Sequence, residues 1–110
     1  GRVVSAPAHG CDLFPTLLAL VGVSSPAGVK IDGQDLTPLL RGAAGFPALR
    51  PLFWHYPHYN MHGSRPASAV RAGDLKLIEF HEDGRRELYD LARDPGERHD
   101  LAREKPDPRC

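Results

Sequence analysis

Three closely spaced histidines are the residues of this sequence best suited to chemistry. His55, His58 and His62 are separated by three and four residues, and His9 lies two residues before Cys11. Imidazole and thiolate groups are common ligands of transition metals. A proline between the first two histidines argues against a helix that presents them on one face, and their spacing matches no usual structural zinc pattern. We therefore predict no metal site in this chain.

The same stretch is rich in aromatic side chains. The aromatic residues are Phe53, Trp54, Tyr56 and Tyr59. Rings with polar tips suit a wall that faces a sugar, whereas the simpler interpretation is the core of a strand together with its rim. We favour the simpler interpretation for most of the run.

Two cations and two cysteines are weaker candidates for function. Arg71 and Lys76 flank a tight turn and carry the positive charge that anionic oxygens prefer. Strand cations are more often solvated, and we expect solvated side chains here. Cys11 and Cys110 are too few to define a disulfide framework or a redox compartment.

Composition excludes several classes of partner. Within 110 residues, 14 Lys and Arg balance 14 Asp and Glu, so no net field favours a nucleic acid or an anionic membrane. The longest apolar run, Leu17–Val23, is much shorter than the ~20 residues that cross a bilayer. We expect no nucleic-acid partner and no membrane span.

One amphipathic helix is the clearest element of the first half. Apolar residues at helical spacing predict a helix over Leu13–Val21, with Asp12 as its N-cap and Gly22 as its stop. The apolar face of this helix consists of Phe14, Leu17, Leu18 and Val21. A short strand is predicted at Arg2–Ser5, and a single helical turn at Leu36–Gly42.

The second half predicts a small antiparallel sheet. Alternating residues and turn signals indicate four strands, and Asp83-Gly84 is the strongest hairpin signal. The strands are Leu52–Tyr56, Ala67–Ala72, Leu75–His81 and Arg86–Leu91. A linker, Gly42–Pro51, precedes the sheet, and a terminal helix is expected over Glu97–Glu104. Both sheet faces contain apolar residues and need cover, which implies a larger body.

Several short motifs follow one another along the chain. They are Asp12–Leu18, Asp32–Leu40, Leu52–Tyr59, Ala69–Ile78, Glu87–Leu91, Asp94–Glu97 and Asp100–Ala102. Each motif is weak alone, but the collinear series covers nearly the whole chain. On these residues the sequence resembles the C-terminal third of sulfatases of the arylsulfatase type, in the alkaline phosphatase-like superfamily.

The resemblance implies an α/β parent fold, in which a large mixed sheet between helices carries the metal site. This chain would be its C-terminal α+β part, a helix plus a small antiparallel sheet of about four strands and a terminal helix. Residues 1–50 would be the last helix and linker of the large domain, and residues 51–110 the antiparallel-sheet subdomain. The large N-terminal sulfatase domain is the expected partner, and we expect the chain to be part of a longer protein.

The resemblance also implies where the chemistry is carried. In similar enzymes a cysteine within Cys-x-Pro-Ser-Arg or Cys-x-Ala-x-Arg becomes formylglycine, whose hydrate attacks sulfur while Ca²⁺ neutralises the sulfate oxygens. Neither Cys11 nor Cys110 has that context, so no catalytic or metal-binding residue carries over, and the chain alone is expected to be inactive. His55 or His58 would lie at the substrate cleft and contact substrate, or else be hydrogen-bonded at the domain interface.

Three functions remain open at this point. The first is part of a sulfuric ester hydrolase that acts on sulfated sugars or aryl sulfates, with Ca²⁺ and formylglycine in the full-length enzyme. The second is part of a phosphate or phosphonate ester hydrolase, since the fold does not fix the reaction. The third is a non-catalytic carbohydrate-binding module that uses the aromatic run. The sequence assigns no compartment, although a periplasmic or extracellular location is compatible with the resemblance.

Overall fold

The computed structural model describes residues 3–43 and 50–103, and the chain divides into two compact units. The first unit, Gly1–Ala48, contains the helices, and the second, Leu49–Cys110, is built on an antiparallel sheet. Most of the predicted linker, Gly42–Pro51, lies outside the described residues. None of the described helices is long and apolar enough to span a membrane.

The helix predicted in the first unit is confirmed. Helix α1 runs over Leu13–Val21 and ends at Gly22, whose φ of 72° is the left-handed conformation that favours glycine. A second, short helix, α2, occupies Thr37–Arg41 and ends at Gly42 in the same way. The predicted helical turn is therefore confirmed as well.

Asp12 does not cap α1 in the predicted way. It belongs to a 3-10 turn, Gly10–Asp12, and has helical backbone angles (φ −75°, ψ −19°), whereas an N-cap residue is extended. Its fully buried side chain instead accepts hydrogen bonds from the backbone N–H groups of His9, at 2.7 Å, and Gln34, at 2.9 Å. Asp12 thus joins the start of α1 to the loop before α2.

The apolar face of α1 is exposed. Phe14, Leu17 and Val21 are 52%, 59% and 70% exposed, whereas the buried residues of the helix are Pro15 and Thr16. An apolar stripe of this kind is typical of a surface that packs against another body.

The second unit is a four-stranded antiparallel meander, as predicted. Its strands are β1 (Leu52–Tyr56), β2 (Ala67–Ala72), β3 (Leu75–Phe80) and β4 (Arg86–Asp90). They are arranged in space in the order β1-β2-β3-β4, and every neighbouring pair is antiparallel. β3 and β4 each end one residue earlier than expected.

The strand register gives the sheet two distinct faces. On the first, which we name the His55 face, an apolar row lies beside a polar row. The apolar row is Phe53, Val70, Leu77 and Leu88, and the polar row is His55, Ser68, Glu79 and Arg86. The opposite side, which we name the Tyr89 face, carries Leu52, Trp54, Tyr56, Arg71, Lys76, Ile78 and Tyr89. Leu52 and Tyr89 are buried, so the small core of this unit lies at the Tyr89 face.

The segment after β4 is not the predicted helix. Over the described part of Glu97–Glu104, which ends at Arg103, the chain is irregular up to Asp100 and forms a turn at residues 101–103, and Glu97 has a φ of 53°. The carboxylate of Asp94 accepts the N–H groups of Arg98, at 2.6 Å, and His99, at 2.7 Å. Side-chain acceptors of this kind compete with the helical hydrogen-bond pattern.

A second aspartate fixes the same segment against the edge strand β4. Asp100 accepts the N–H groups of Leu88 and Ala102, both at 3.0 Å. The N–H of Leu101 donates to the carbonyl of Leu88 at 2.8 Å, which extends the contact with the sheet. Pairing with β4 therefore replaces the expected helix.

The predicted strand Arg2–Ser5 is wrong for its described residues. Val3–Ser5 have no strand conformation, and Arg2 lies outside the described residues. Val3 is 93% exposed, so a strand at this position would gain no stability from burial of its side chain.

Candidate functional site

A serine and two histidines form a hydrogen-bonded cluster at one end of the His55 face. Nδ1 of His55 lies 2.8 Å from Oγ of Ser68, and Nε2 of His81 lies 2.9 Å from the same oxygen. The centroids of the two imidazole rings are 5.3 Å apart, and the rings are tilted by 37°. We name these three residues the His-Ser-His cluster. Both histidines are exposed, and the serine between them is half-buried.

The strand register brings this cluster together. His55 in β1 is the cross-strand partner of Ser68 in β2, which in turn faces Glu79 in β3. His81 follows Glu79 by two residues, and its N–H donates to the carbonyl of Pro66 at 3.0 Å. This bond continues the pairing beyond the end of β3, where diagonal neighbours are within reach of long side chains.

A concavity of about 430 Å³ opens beside the His-Ser-His cluster. Its lining includes Phe53, Trp54, His55, Ser68, Val70, Leu77 and Glu79. Phe53 is 68% exposed, so its ring is accessible from solvent. A lining that combines apolar and polar side chains suits a sugar, whose C–H surface packs on a ring while its hydroxyls form hydrogen bonds.

The two predicted substrate-binding histidines are not brought together. His55 belongs to the His-Ser-His cluster, whereas the ring of His58 makes an edge contact with Tyr56, with centroids 5.8 Å apart. Tyr56 lies on the Tyr89 face, opposite His55. His62 lies in the following loop, where its N–H donates to Oδ1 of Asn60 at 2.9 Å.

No histidine of the described segments takes part in a metal-binding group. In the first unit, Nδ1 of His9 lies 3.2 Å from Sγ of Cys11, which is an exposed free thiol. Across residues 3–43 and 50–103, no three His, Cys, Asp or Glu side chains are arranged to hold a metal ion.

The cations of the Tyr89 face are engaged within the protein. Nζ of Lys76 lies 2.6 Å from Oε1 of Glu97, and only 25% of the lysine side chain is exposed. Nε of Arg71 donates to the carbonyl of Gly73 at 3.0 Å. The expectation of solvated cations is therefore wrong for Lys76, and its pairing with Glu97 also disfavours a role as a sulfate ligand. A concavity of about 420 Å³ on this face is lined by Trp54, Ala69, Arg71, Lys76, Ile78, Leu91 and Glu97.

Tyr89 has a buried side chain on the same face. Burial raises the pKa of Tyr89 to about 12, and the hydrogen bond that its hydroxyl donates to Glu87 at 3.0 Å adds to the shift. The other oxygen of this carboxylate is paired with Arg85. Tyr89 therefore stays protonated at neutral pH and acts as a structural donor.

Sequence patterns alone missed Ser68 and His81. Neither belongs to a recognisable motif, because a serine and a histidine 13 residues apart carry no spacing signal. The tight turn between β2 and β3 sets a register that places Ser68 opposite Glu79, and this register is the signal that could have found the pair.

Comparison with known proteins defines the family. The family model described as N-sulphoglucosamine sulphohydrolase, C-terminal, matches residues 1–108. The chain belongs to this family of sulfatase C-terminal domains. Arylsulfatase D of Homo sapiens is 36% identical to it over 81% of this chain and 16% of the relative's length. Delta 4,5-hexuronate-2-O-sulfatase of Bacteroides thetaiotaomicron is 35% identical over 84% of this chain and 19% of its own.

A solved structure also resembles this sulfatase C-terminal domain. It is a protein in complex with its substrate, D-glucosamine-2-N,6-O-disulfate, with a TM-score of 0.68 and 33% identity. The similarity covers 82% of this chain and 19% of that one. The domain thus spans about a fifth of the length of the relatives it matches, and its helix and four-stranded antiparallel sheet correspond to the C-terminal part of sulfatases.

Proposed function

We propose that this sulfatase C-terminal domain belongs to an enzyme that hydrolyses sulfate esters of sugars, and that it forms one edge of the substrate cleft. The observation that carries the proposal is the 33% identity, over 82% of the chain, to a protein whose substrate is a disulfated glucosamine. The His-Ser-His cluster beside the exposed ring of Phe53 supports it, because a sulfated sugar needs both hydrogen-bonding groups and an apolar surface.

The reaction itself is assigned to a large N-terminal domain with the α/β alkaline phosphatase-like fold. Sulfate-ester hydrolysis needs a strong nucleophile, neutralisation of the sulfate charge and an acid for the leaving alcohol. The described residues of this chain do not fit these tasks, because Cys11 precedes Asp12-Leu13 rather than a formylglycine motif and no described side chains converge as metal ligands. Formylglycine and Ca²⁺ are expected in the large domain.

His55 has the better geometry of the two proposed substrate-binding histidines. Its ring lies in the lining of the concavity on the His55 face and is held at Nδ1 by Ser68. His58 remains a candidate from the loop after β1, although its ring already packs against Tyr56. We therefore assign the principal substrate contact of this domain to His55.

The activity is tested with the full-length protein that carries this chain. Sulfate release is measured from D-glucosamine-2-N,6-O-disulfate and from 4-nitrophenyl sulfate in the presence of Ca²⁺, with 4-nitrophenyl phosphate as the competing substrate. We expect release of sulfate from the sugar. Turnover of the phosphate ester alone rejects the proposal in favour of a phosphate ester hydrolase.

The isolated 110-residue chain provides the second arm of the test. It is expected to release no sulfate above a calcium-containing blank, because it lacks a nucleophile in the required motif. Calorimetry with sulfated oligosaccharides addresses the carbohydrate-binding alternative. Measurable heat from a folded, isolated chain favours a binding module over the edge of a catalytic cleft.

A further inference from the structure

The His-Ser-His cluster contains one hydroxyl that contacts two imidazole rings. Oγ of Ser68 lies 2.8 Å from Nδ1 of His55 and 2.9 Å from Nε2 of His81. A serine hydroxyl has a single proton to donate but two lone pairs that accept. When both rings are neutral, Ser68 either donates to one ring and accepts an N–H from the other or accepts an N–H from both, but it cannot donate to both. A ring nitrogen that accepts the hydroxyl proton of Ser68 therefore requires that the other ring donate an N–H to the same oxygen.

We propose that Ser68 and His81 are positioning residues that set the tautomer and orientation of His55 for substrate binding, an inference that rests on the proposed function of this site. In this arrangement Nε2 of His81 donates to Ser68, and the hydroxyl of Ser68 donates to Nδ1 of His55. His55 then carries its proton on Nε2, the nitrogen that is left for a ligand.

The ligand chemistry selects this direction of the hydrogen-bond chain. Sulfate oxygens act only as acceptors, and the oxygen of a sugar hydroxyl accepts as well. A protonated Nε2 on His55 can donate to either group, and it is the form that a sulfate oxygen requires. Any arrangement in which Nδ1 of neutral His55 donates to Ser68 leaves its Nε2 without a proton, and a sulfate oxygen then meets a lone pair.

Charged groups around the cluster are engaged with other partners. Glu79 accepts from Nε of Arg86 at 2.7 Å. Glu82 accepts the hydroxyl of Tyr59 at 2.7 Å and lies 3.7 Å from Nε of Arg65. Both carboxylates therefore have partners other than the imidazoles, and the two imidazoles contact Ser68.

Removal of the hydroxyl should free the His55 ring. In Ser68→Ala both tautomers and other ring orientations become available, so substrate binding weakens. We expect KM for D-glucosamine-2-N,6-O-disulfate to rise about threefold to tenfold with kcat little changed, which is the effect of one neutral hydrogen bond. Ser68→Thr keeps the hydroxyl and should restore a KM close to that of the wild type.

The His81 end of the chain is tested in the same way. His81→Gln retains an amide N–H that can donate to Ser68, whereas His81→Ala removes the donor. We expect KM to rise in His81→Ala and to rise less in His81→Gln. Ser64→Ala is the matched control, because Ser64 is an exposed serine in the loop between β1 and β2.

The experiment uses the full-length protein that carries this chain, and thermal unfolding shows that each variant retains its fold. In ¹⁵N-histidine-labelled protein, the ring signals of His55 are identified by their absence in His55→Gln. The wild type should show a protonated Nε2 and an unprotonated Nδ1 for His55. Ser68→Ala should shift both signals towards a mixture of tautomers.

Two results overturn the inference. The first is a pair of His55 nitrogen signals that does not change in Ser68→Ala. The second is an unchanged KM in both Ser68→Ala and His81→Ala when His55→Gln raises it. If the full-length protein releases no sulfate from any ester, the proposed function fails, and the nitrogen signals alone then decide whether Ser68 sets the tautomer of His55.

Discussion

The side chain of Asp12 and the backbone N–H of Gln34 lie 2.9 Å apart, and this hydrogen bond joins parts of the first unit that are 22 residues apart in sequence. A second connection runs beside it. The hydroxyl of Thr16 donates to the carbonyl of Asp12 at 2.6 Å and accepts the N–H of Leu36 at 2.9 Å. Because Asp12 and Thr16 are both buried, polar groups hold the loop before α2 in place.

Replacement of Asp12 by Ala should destabilise the protein. His9 and Gln34 lose the charged acceptor of their backbone N–H groups, so we expect the free energy of unfolding to fall by about 1.5–3 kcal/mol. Chemical denaturation of the full-length protein measures the change. Asp32→Ala is the control, since that side chain is 81% exposed. A loss for Asp12→Ala no larger than that of the control contradicts the structural role.

The same loop passes too close to the start of α1 for a side chain at residue 33. A Cβ on Gly33 would overlap the backbone carbonyl of Cys11 and lie 2.9 Å from the backbone nitrogen of Asp12. Backbone atoms cannot move aside independently, so Gly33→Ala should displace the loop and lower the thermal midpoint by several degrees. Gly10→Ala is the matched control, because a Cβ there meets nothing within 4 Å. Equal midpoints for the two variants would reject the prediction.

Separate substitution of the two proposed substrate-binding histidines tests the cleft-edge role. His55→Ala in the full-length protein should lower kcat/KM for the disulfated glucosamine about tenfold to a hundredfold, the loss expected for one hydrogen bond to a charged group. His58→Ala should have a smaller effect, because its ring already packs against Tyr56. His62→Ala serves as the control from the same loop. If kcat/KM is unchanged in both His55→Ala and His58→Ala, neither histidine contacts the substrate.

Elements with local signals could be predicted from the sequence. The spacing of apolar residues and the position of Gly22 predicted the bounds of α1 that the structure has. In the sheet, the alternation of residues and the tight turns predicted the four strands. The segment at residues 97–103 could not be predicted because its conformation depends on Asp94 and Asp100. Asp100 accepts an N–H from β4, which is a tertiary contact that no local pattern encodes.

The candidate site was only partly predictable for a related reason. His55 stands out in the aromatic run, but β1 and β2 are joined by residues 57–66, and an irregular loop of this length does not set a register. Ser68 could therefore not be recognised as the partner of His55. The contact of Ser68 with His81 follows from the short turn between β2 and β3, so that half of the cluster was accessible to sequence reasoning.

Acid should weaken the connection between β4 and the segment after it. The hydrogen bond from the backbone N–H of Leu88 lowers the pKa of Asp100 below its usual value of 3.8. Desolvation by burial opposes this shift, whereas the N–H of Ala102 and the nearby charge of Arg103 add to it. A carboxyl whose pKa is lowered on folding contributes stability above its unfolded pKa and loses it as pH falls through the folded value. Asp100→Asn removes the charge and with it this contribution.

The predicted loss of stability in acid is checked by the thermal midpoints of the wild type and Asp100→Asn, measured from about pH 6 down to about pH 3. We expect the wild type to be more stable at the upper end and the difference to shrink below pH 3.8. Asp32→Asn, at an exposed position, provides the comparison for nonspecific charge effects. A difference between wild type and Asp100→Asn that stays constant with pH is the contrary result.

A polar substitution in the exposed apolar stripe of α1 should have opposite effects on the isolated chain and on the full-length protein. Leu17 is 59% exposed here, so Leu17→Ser removes apolar surface from water and should reduce aggregation of the isolated chain, measured by light scattering. In the full-length protein we expect the large domain to cover Leu17, and loss of a buried leucine then costs about 2–5 kcal/mol. The thermal midpoint of the full-length variant should fall accordingly.

Lys30→Ala, at a side chain that is 91% exposed, should leave both measurements unchanged. A full-length midpoint that does not move with Leu17→Ser means that the large domain does not pack on this face of α1.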